Sequence, residues 1–390
     1  MIMREVAVIG VGMTKFGKFI GTSLKDLGRA ACLAAIKDAG ISAREIQVGY
    51  CGNAVGGVMT GQTMVLGQLV MRELGITGIP ITNIENACSS GSTAFREGWI
   101  AVASGMYDVA LVVGVEKLYA SDTGKTVQAL AGASDVEVEG SLGLIMPGVW
   151  AMRAKKHMEK YGTTLEQLAK VSVKNHKNGC LNPNSQYQKE CTIEEVHKAR
   201  MICDPLTVLH CSPIGDGAAA AVLCSKDKAL RYTSKPVYVA ASVLTTGTYD
   251  LLRDITENGL ETSAAKQAYE FAGIAPEDIS LAEVHDCFTI AEFLRCESLG
   301  LVPKGEYGRW IDEGWTEIDG KLPVNPSGGL LAKGHPVGAT GVAQVAEVVW
   351  HLRGEAGKRQ VKNAQTGLTH CSGGAIMGDT AACTVNILIV

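Results

Sequence analysis

The chain has 390 residues, 46% of them apolar and 19% charged, with a formal net charge of −4. That is enough apolar mass for two domains or one large duplicated unit. The near balance of charge, with 5% aromatic residues and no basic run, excludes an extended nucleic-acid footprint. Twelve cysteines are scattered without a Cys-x-x-Cys pair, so in a chain this long they read as reduced thiols and not as a disulfide scaffold. No apolar run reaches the roughly 18 residues of a membrane span. No targeting segment is expected ahead of the first strand, and no peroxisomal Ser-Lys-Leu address is expected at the C-terminus. The expected location is cytoplasmic, with neither membrane nor nucleic acid as a partner.

Residues 5–11 (EVAVIGV) read as a central strand. The loop at 12–17 lacks the GxGxxG spacing of a dinucleotide fingerprint. A helix is predicted over 23–40 and stopped by Gly40. A short strand at 48–51, a flexible small-residue stretch at 53–61 and a helix at 62–74 follow. Residues 79–84 lead to Cys88, then come a helix at 93–104 and a stop at 105–108. The unbroken apolar run 109–115 reads as a strand buried on both faces. Strands alternating with helices give an α/β sandwich with a mixed or parallel sheet.

From 116 to 209 the pattern loosens into helices at 150–161 and 164–178 and polar excursions around Asn182-Pro183 and Pro205, an inserted loop domain. Gly215-Asp216-Gly217 then opens directly into a buried strand. A second half starts near Pro236, with a strand at 237–244, a helix at 263–273 and a strand at 282–285. Segments 35–46 and 268–279 both place Ala-Gly-Ile after a helix, then an acidic turn, then a strand. The helix after Cys88 has a counterpart after His335. The expected organisation is a duplication, with one half at 1–235 (loop domain at 116–209) and the other at 236–390.

Four short segments could carry chemistry. Cys88 lies in NACSSGS, at or just before a helix N-terminus, where free N–H groups and the helix dipole favour a thiolate. A buried structural thiol in a Gly/Ser turn is the plain alternative. His335 lies in GGLLAKGHPVGATG, where glycines suit close backbone approach to a ligand or thiol, so this histidine could polarise a carbonyl or take a proton from Cys88. His285 in HDCFT ends a buried strand, and Asp286 could bond its ring or cap the helix near Thr289. Cys371 in THCSGG could both donate and accept a proton, or be a core thiol. Cys32, Cys51, Cys203, Cys224 and Cys383 read as core thiols, with Cys287 and Cys296 open. The His and Cys spacing forms no compact zinc pairs, so no metal is expected.

In this order, NACSSGS, GDGAAA, HDCFT, NPSGG, KGHPVGATG and a C-terminal Cys-x-Gly-Gly resemble the thiolase superfamily, within it the sterol-carrier-protein-2-like and archaeal branches, over essentially the whole chain. The resemblance implies two βαβαβαββ halves in a five-layer αβαβα sandwich, with the reactive residues between them and a loop domain in the first. It implies Cys88 as the acylated nucleophile, His335 as its activator and Cys371 as the acid/base at the α-carbon. One oxyanion hole would use His335 and His285, and a second the N–H groups of Cys88 and Gly373. Many members of the branch carry His-Asn-x-Gly near the C-terminus. This chain has His370-Cys371-Ser372-Gly373, which keeps full thiolase chemistry in play.

The resemblance implies an acyltransferase with coenzyme A as cosubstrate and no bound cofactor. The expected reaction is cleavage or formation of a 3-oxoacyl-CoA, leaning to 2-benzoylsuccinyl-CoA split into benzoyl-CoA and succinyl-CoA. The alternatives are an acetoacetyl-CoA thiolase, a ketoacyl-synthase-like condensing enzyme and a non-catalytic acyl-CoA-binding scaffold. Expected partners are a second copy, as a homodimer or a dimer of dimers, and a small zinc-ribbon/OB-fold subunit.

Overall fold

The computed structural model describes residues 3–120, 122–250 and 252–390. The first half runs β1 (Val6–Met13), α1 (Leu24–Ala39), β2 (Val48–Gly52), α2 (Gly56–Thr60), α3 (Leu66–Arg72), β3 (Ile81–Ile84), α4 (Ser90–Ala103) and β4 (Val109–Glu116). Helices α5 (Thr123–Ala131), α6 (Met146–Tyr161), α7 (Leu165–Cys180) and α8 (Ile193–Lys198) and a small ladder of β5 (Met201–Cys203) and β6 (Leu206–Thr207) come next. They precede β7 (Gly217–Ser225) and α9 (Lys226–Tyr232). The second half comprises β8 (Val237–Thr246), α10 (Gly259–Ala272), β9 (Leu281–Glu283), α11 (Thr289–Ser298) and α12 (Tyr307–Asp312). It continues through a π-helical turn at Gly329–Lys333 to α13 (Val337–Arg353), β10 (Thr366–Ile376) and β11 (Asp379–Ile389). Several sequence expectations shift: residues 56–60 of the stretch read as flexible form a short helix, the helix read at 62–74 is shorter, those read at 150–161 and 263–273 start about one turn earlier, and α4 starts at Ser90 after a 3₁₀ turn, Ala87–Ser89.

Strand order is β3-β2-β4-β7-β1-β8-β11-β10-β9. In the first half β2 runs parallel to β3 and β4, while β7 is antiparallel to β4 and β1. The second half repeats this: β9 is parallel to β10, β11 is antiparallel to β10 and β8, and Val324 bridges in parallel to Ala282 where the outermost strand would be. Single hydrogen bonds repeat too. Gly49 N–H donates to Pro80 O at 3.0 Å and Ala282 N–H to Pro323 O at 3.0 Å. Gln47 N–H donates to Val109 O at 3.1 Å and Ser280 N–H to Thr366 O at 2.9 Å. The two halves join where β1 meets β8 at Ala7/Tyr238 and Val8/Val237.

Three large apolar cores fill the spaces between five layers, the middle one covering both faces of the central helices. One lies between α1 and α3 and the first-half strands, and includes Leu27, Ala31, Val70, Ile9 and Leu111. The middle core holds Ala94, Phe95 and Val102 of α4 with Val342, Val345 and Val349 of α13. The third sets α10 and α11 against the second-half strands through Ala264, Ala268, Ile290 and Val385. In β7, Ala218 and Ala220 face the α1 core while Ala219 and Ala221 face the α13 core, so small side chains let helices lie close on both faces.

The two central helices meet at glycine. A Cβ on Gly91 would lie 2.4 Å from Gly338 O, and one on Gly341 would lie 2.5 Å from Ser92 N. Neither leaves room for a methyl group. Helix propensity alone makes Gly→Ala in α13 stabilising by about 1 kcal/mol. We expect Gly341→Ala instead to destabilise by about 1–3 kcal/mol, read as a lower urea midpoint with unchanged slope. An unchanged or higher midpoint would show that the contact has slack.

Candidate active site

Cys88 sits in the 3₁₀ turn before α4, as expected from its small-residue setting. The turn is tight: Ala87 has φ 47°, a region non-glycine residues rarely occupy. Local hydrogen bonds hold it there. Asn86 N–H donates to Ser90 Oγ at 2.9 Å, Ser90 Oγ–H to Ala87 O at 2.6 Å, and Ser89 N–H to Asn86 O at 2.9 Å. The β10 strand lies against this turn so closely that a Cβ on Gly373 would fall 2.0 Å from Asn86 O. Ser89 Oγ–H donates to Cys371 O at 2.7 Å, fixing that strand to the turn.

His335 ends the loop before α13. Its Nδ1 is 2.7 Å from Thr340 Oγ1, and the Thr340 hydroxyl donates to Pro336 O at 3.0 Å. The hydroxyl proton being used there, Thr340 accepts from Nδ1–H, and this assignment leaves Nε2 as an unprotonated base. His285 follows β9, its ring edge-to-face with His335 and 4.9 Å between centroids. The ligating atoms of Cys88, His285 and His335 all lie within 4.8 Å of one another. Such a thiol–imidazole set could also close on a soft cation. Cys371 Sγ completes the group, 3.4 Å from His285 Nδ1 and 3.1 Å from Cys88 O. Four residues predicted from separate segments thus converge on one pocket.

Asp286 neither bonds the His285 ring nor caps α11. Its Oδ1 accepts from Leu330 N–H at 2.7 Å and its Oδ2 from Asn175 Nδ2 at 2.7 Å. It thereby ties α7 to the π-helical turn before His335. Gly329 is required there: a Cβ would fall 2.2 Å from Asp286 Oδ2. Asn325, at φ 53°, accepts from Val284 N–H at 2.8 Å and donates to Glu292 at 2.8 Å, and Lys174 pairs with Glu292 at 2.7 Å. Sequence reading missed Thr340, Ser89, Asn175, Lys174 and Glu292. Thr340 and Ser89 left a signal, one five residues after His335 and the other next to Cys88 in the quoted motifs.

Burial governs the electrostatics. It pushes the Cys88 thiol well above its ordinary value, with Cys371 and Glu116 adding to the rise and the N–H groups of Gly374 and Cys88 opposing it. The expected thiolate therefore gives way to a thiol. The Gly374 amide acts on the sulfur, beside the Gly373 amide expected at the oxyanion. Burial also pushes the Cys371 thiol up to about 12 and the His335 imidazole down to about 3. His285 is held well below its usual value by burial, then by His335, Arg295 and His370. The resting site is neutral: two thiols and two free imidazoles. Cys32, Cys51, Cys224, Cys296 and Cys383 are buried thiols, whereas Cys203 and Cys287 are half-buried.

The sign for pH dependence follows. A thiol raised above 9 is protonated at pH 7, and its thiolate fraction grows about tenfold per pH unit. Alkylation of Cys88 by iodoacetamide should therefore rise about tenfold per unit between pH 6 and 9. A rate flat over that range would indicate a resting thiolate–imidazolium pair and overturn this electrostatic account.

Residues 6–227 match the family described as "Thiolase, N-terminal domain" and residues 241–385 that described as "Thiolase C-terminal domain-like". The chain is 50% identical to an acetyl-CoA acetyltransferase of Methanothermobacter thermautotrophicus, over 97% of this chain and 98% of that one. It is 40% identical to the benzoylsuccinyl-CoA thiolase subunit BbsB of Thauera aromatica, over 95% of each. Among solved structures, the Ltp2-ChsH2(DUF35) aldolase superposes with a TM-score of 0.85 at 26% identity, covering 100% of this chain and 99% of that one. Human mitochondrial 3-ketoacyl-CoA thiolase shares the fold, with a TM-score of 0.75 at 19% identity, covering 100% of this chain and 99% of that one. With the two-part topology and the Cys–His–His–Cys pocket, these matches establish that the chain belongs to the thiolase family of acyl-transferring enzymes.

Proposed function

We propose that the chain is an acetyl-CoA C-acetyltransferase, interconverting acetoacetyl-CoA plus CoA and two molecules of acetyl-CoA, with coenzyme A as cosubstrate and no resident cofactor. The observation that carries this reading is the near full-length, 50% identical relative of that name, joined to the converged pocket. The lean toward 2-benzoylsuccinyl-CoA has weaker support, from a relative at 40% identity.

In thiolysis His335 Nε2 takes the Cys88 thiol proton as the sulfur attacks the 3-oxo carbon. The C2–C3 bond then breaks. The acyl group stays on Cys88 as a thioester, and the departing acetyl-CoA enolate takes a proton at its α-carbon from Cys371. The Cys371 thiolate takes the proton of the CoA thiol as its sulfur attacks the acyl-enzyme, the second acetyl-CoA leaves, and His335 returns its proton to the Cys88 sulfur. His285 and His335 hold the enolate oxygen. The Cys88 N–H and the Gly373–Gly374 turn hold the oxyanion of the tetrahedral intermediate.

Strand β3 supports a homodimer: among the described residues it pairs with β2 alone and stands at the sheet edge, and Val58, Met64 and Val65, ahead of α3, are exposed. A small second subunit of zinc-ribbon/OB-fold type fits two relatives, one named as a subunit and the other as a pair of proteins.

The test is thiolysis of acetoacetyl-CoA against aromatic 3-oxoacyl-CoAs, with mass spectrometry of the acyl-enzyme. Acetoacetyl-CoA should be the better substrate. Cys88→Ala should lower kcat by about a thousandfold or more and abolish the adduct. Cys371→Ala should stop α-proton exchange into deuterated acetyl-CoA while leaving acylation of Cys88. Intact turnover in Cys88→Ala would sink the proposal, and preference for an aromatic substrate would sink its acetyl specificity.

A further inference from the structure

One wholly buried carboxylate next to the site has no part in the chemistry above. Glu116 ends β4 and accepts hydrogen bonds from five N–H groups: Asn53 Nδ2 at 3.0 Å, Ala54 N at 3.0 Å, Val55 N at 3.2 Å, Lys117 N at 3.2 Å and Gly338 N at 3.1 Å. The neighbouring Lys117 ammonium is directed elsewhere, to Asp216 and Phe19 O. Four of the donors belong to the strand ends of the first half. The fifth is the first-turn amide of α13, three residues beyond His335. The Gly338 carbonyl is itself seated against Gly91 and Gly114, where Cβ atoms would lie 2.4 and 2.3 Å away.

The duplication makes the placement informative. Val109 and Thr366 occupy equivalent positions, because Gln47 N–H and Ser280 N–H make the same bond to them. Glu116 and Gly373 each stand seven residues further on. Where the first half carries the Glu116 carboxylate, bound to the amide at the start of the opposite central helix, the second half carries Gly373, packed so closely on the Cys88 turn that a Cβ would fall 2.0 Å from Asn86 O. The two equivalent strand positions therefore differ in how they hold the central helices: one through a hydrogen-bonded carboxyl side chain, the other through direct backbone contact.

We propose that Glu116 is a positioning residue for acyl transfer, a strap that holds the start of α13, and with it His335, at a fixed distance from Cys88. The proposal rests on the acyl-transfer reading of Cys88 and His335. A misplacement of about 1 Å at such a base costs on the order of a hundredfold in rate. Glu116→Gln presents its amide N–H₂ to donors and cannot satisfy all five. It should lower kcat by about 10- to 100-fold, with KM for acetoacetyl-CoA within twofold and the acyl-enzyme at Cys88 still formed, but more slowly.

Glu116→Asp keeps the charge but is too short to span both sides, so it should show the same split. It carries the test should the Gln variant fail to fold. Wild-type kcat in either folded variant would overturn the strap, as would a loss confined to KM. A wild-type chain that forms no acyl-enzyme at Cys88 would overturn the functional reading instead, so the two failures are distinguishable.

Discussion

The close contact between α4 and α13 is the constraint on which the site depends. Each helix begins with a loop from a different half, one carrying Cys88 and the other His335. Because Gly91, Gly338 and Gly341 leave no side chain between the helix starts, those loops come face to face. Cys88 and His335, remote in the chain, thus bring their sulfur and ring nitrogen within 4.8 Å of one another. The repeated topology supplies two equivalent loops, and the absence of Cβ atoms lets them touch. A larger residue at the crossing would push the helices apart and open the pocket before any catalytic group changed.

Burial outweighs the helix end as an influence on the thiol. A helix N-terminus stabilises a nearby anion by about 0.3–1 kcal/mol, up to roughly 2 in favourable geometry. Each unit of pKa shift corresponds to about 1.4 kcal/mol, and burial in low dielectric can move such a group by several units. Burial therefore wins, and Cys88 rests as a thiol beside a neutral His335. Charge arises only during reaction, where backbone N–H groups already fixed in place can stabilise it without reorganising. The Cys371–His285 pair follows the same logic at the α-carbon side.

The elements that sequence discloses are those fixed by short-range physics. Apolar runs located β4 and β7, Gly40 and Gly273 marked helix ends, and paired Ala-Gly-Ile segments announced the duplication that the Gly49–Pro80 and Ala282–Pro323 bonds display. Cys88, His335 and Cys371 were legible because Gly, Ser or Pro lies close beside them, whereas His285 was legible as the end of a buried strand. The start of α4 was misplaced because residues 87–89 form a 3₁₀ turn whose positive φ at Ala87 has no sequence signature. The direction of the Cys88 shift was misread because burial is a tertiary quantity. Asp286 was misassigned because both its partners, Asn175 and Leu330, are distant in sequence.

Those distant partners explain why the excursion between β4 and β7 is more than a surface elaboration. Helix α7 leaves the first half but places its buried side chains on second-half groups: Lys174 on Glu292 and Val324 O, Asn175 on Asp286 and Glu292, Asn178 on Asn325 O. Asp286 then holds the turn before His335, and Asn325 holds the strand end before His285. The segments carrying His285 and His335 are thus supported from behind by the inserted segment. Burial and Glu292 raise the Asp286 carboxyl well above its usual value, while Lys174 and the Leu330 N–H draw it down. The network is stable only when fully assembled, since any one missing partner leaves a buried polar group unsatisfied. Acyl transfer in this fold therefore depends on three regions closing together: the two halves that bring the reacting groups to the glycine crossing, and the insertion that keeps the histidine loops from relaxing away from it.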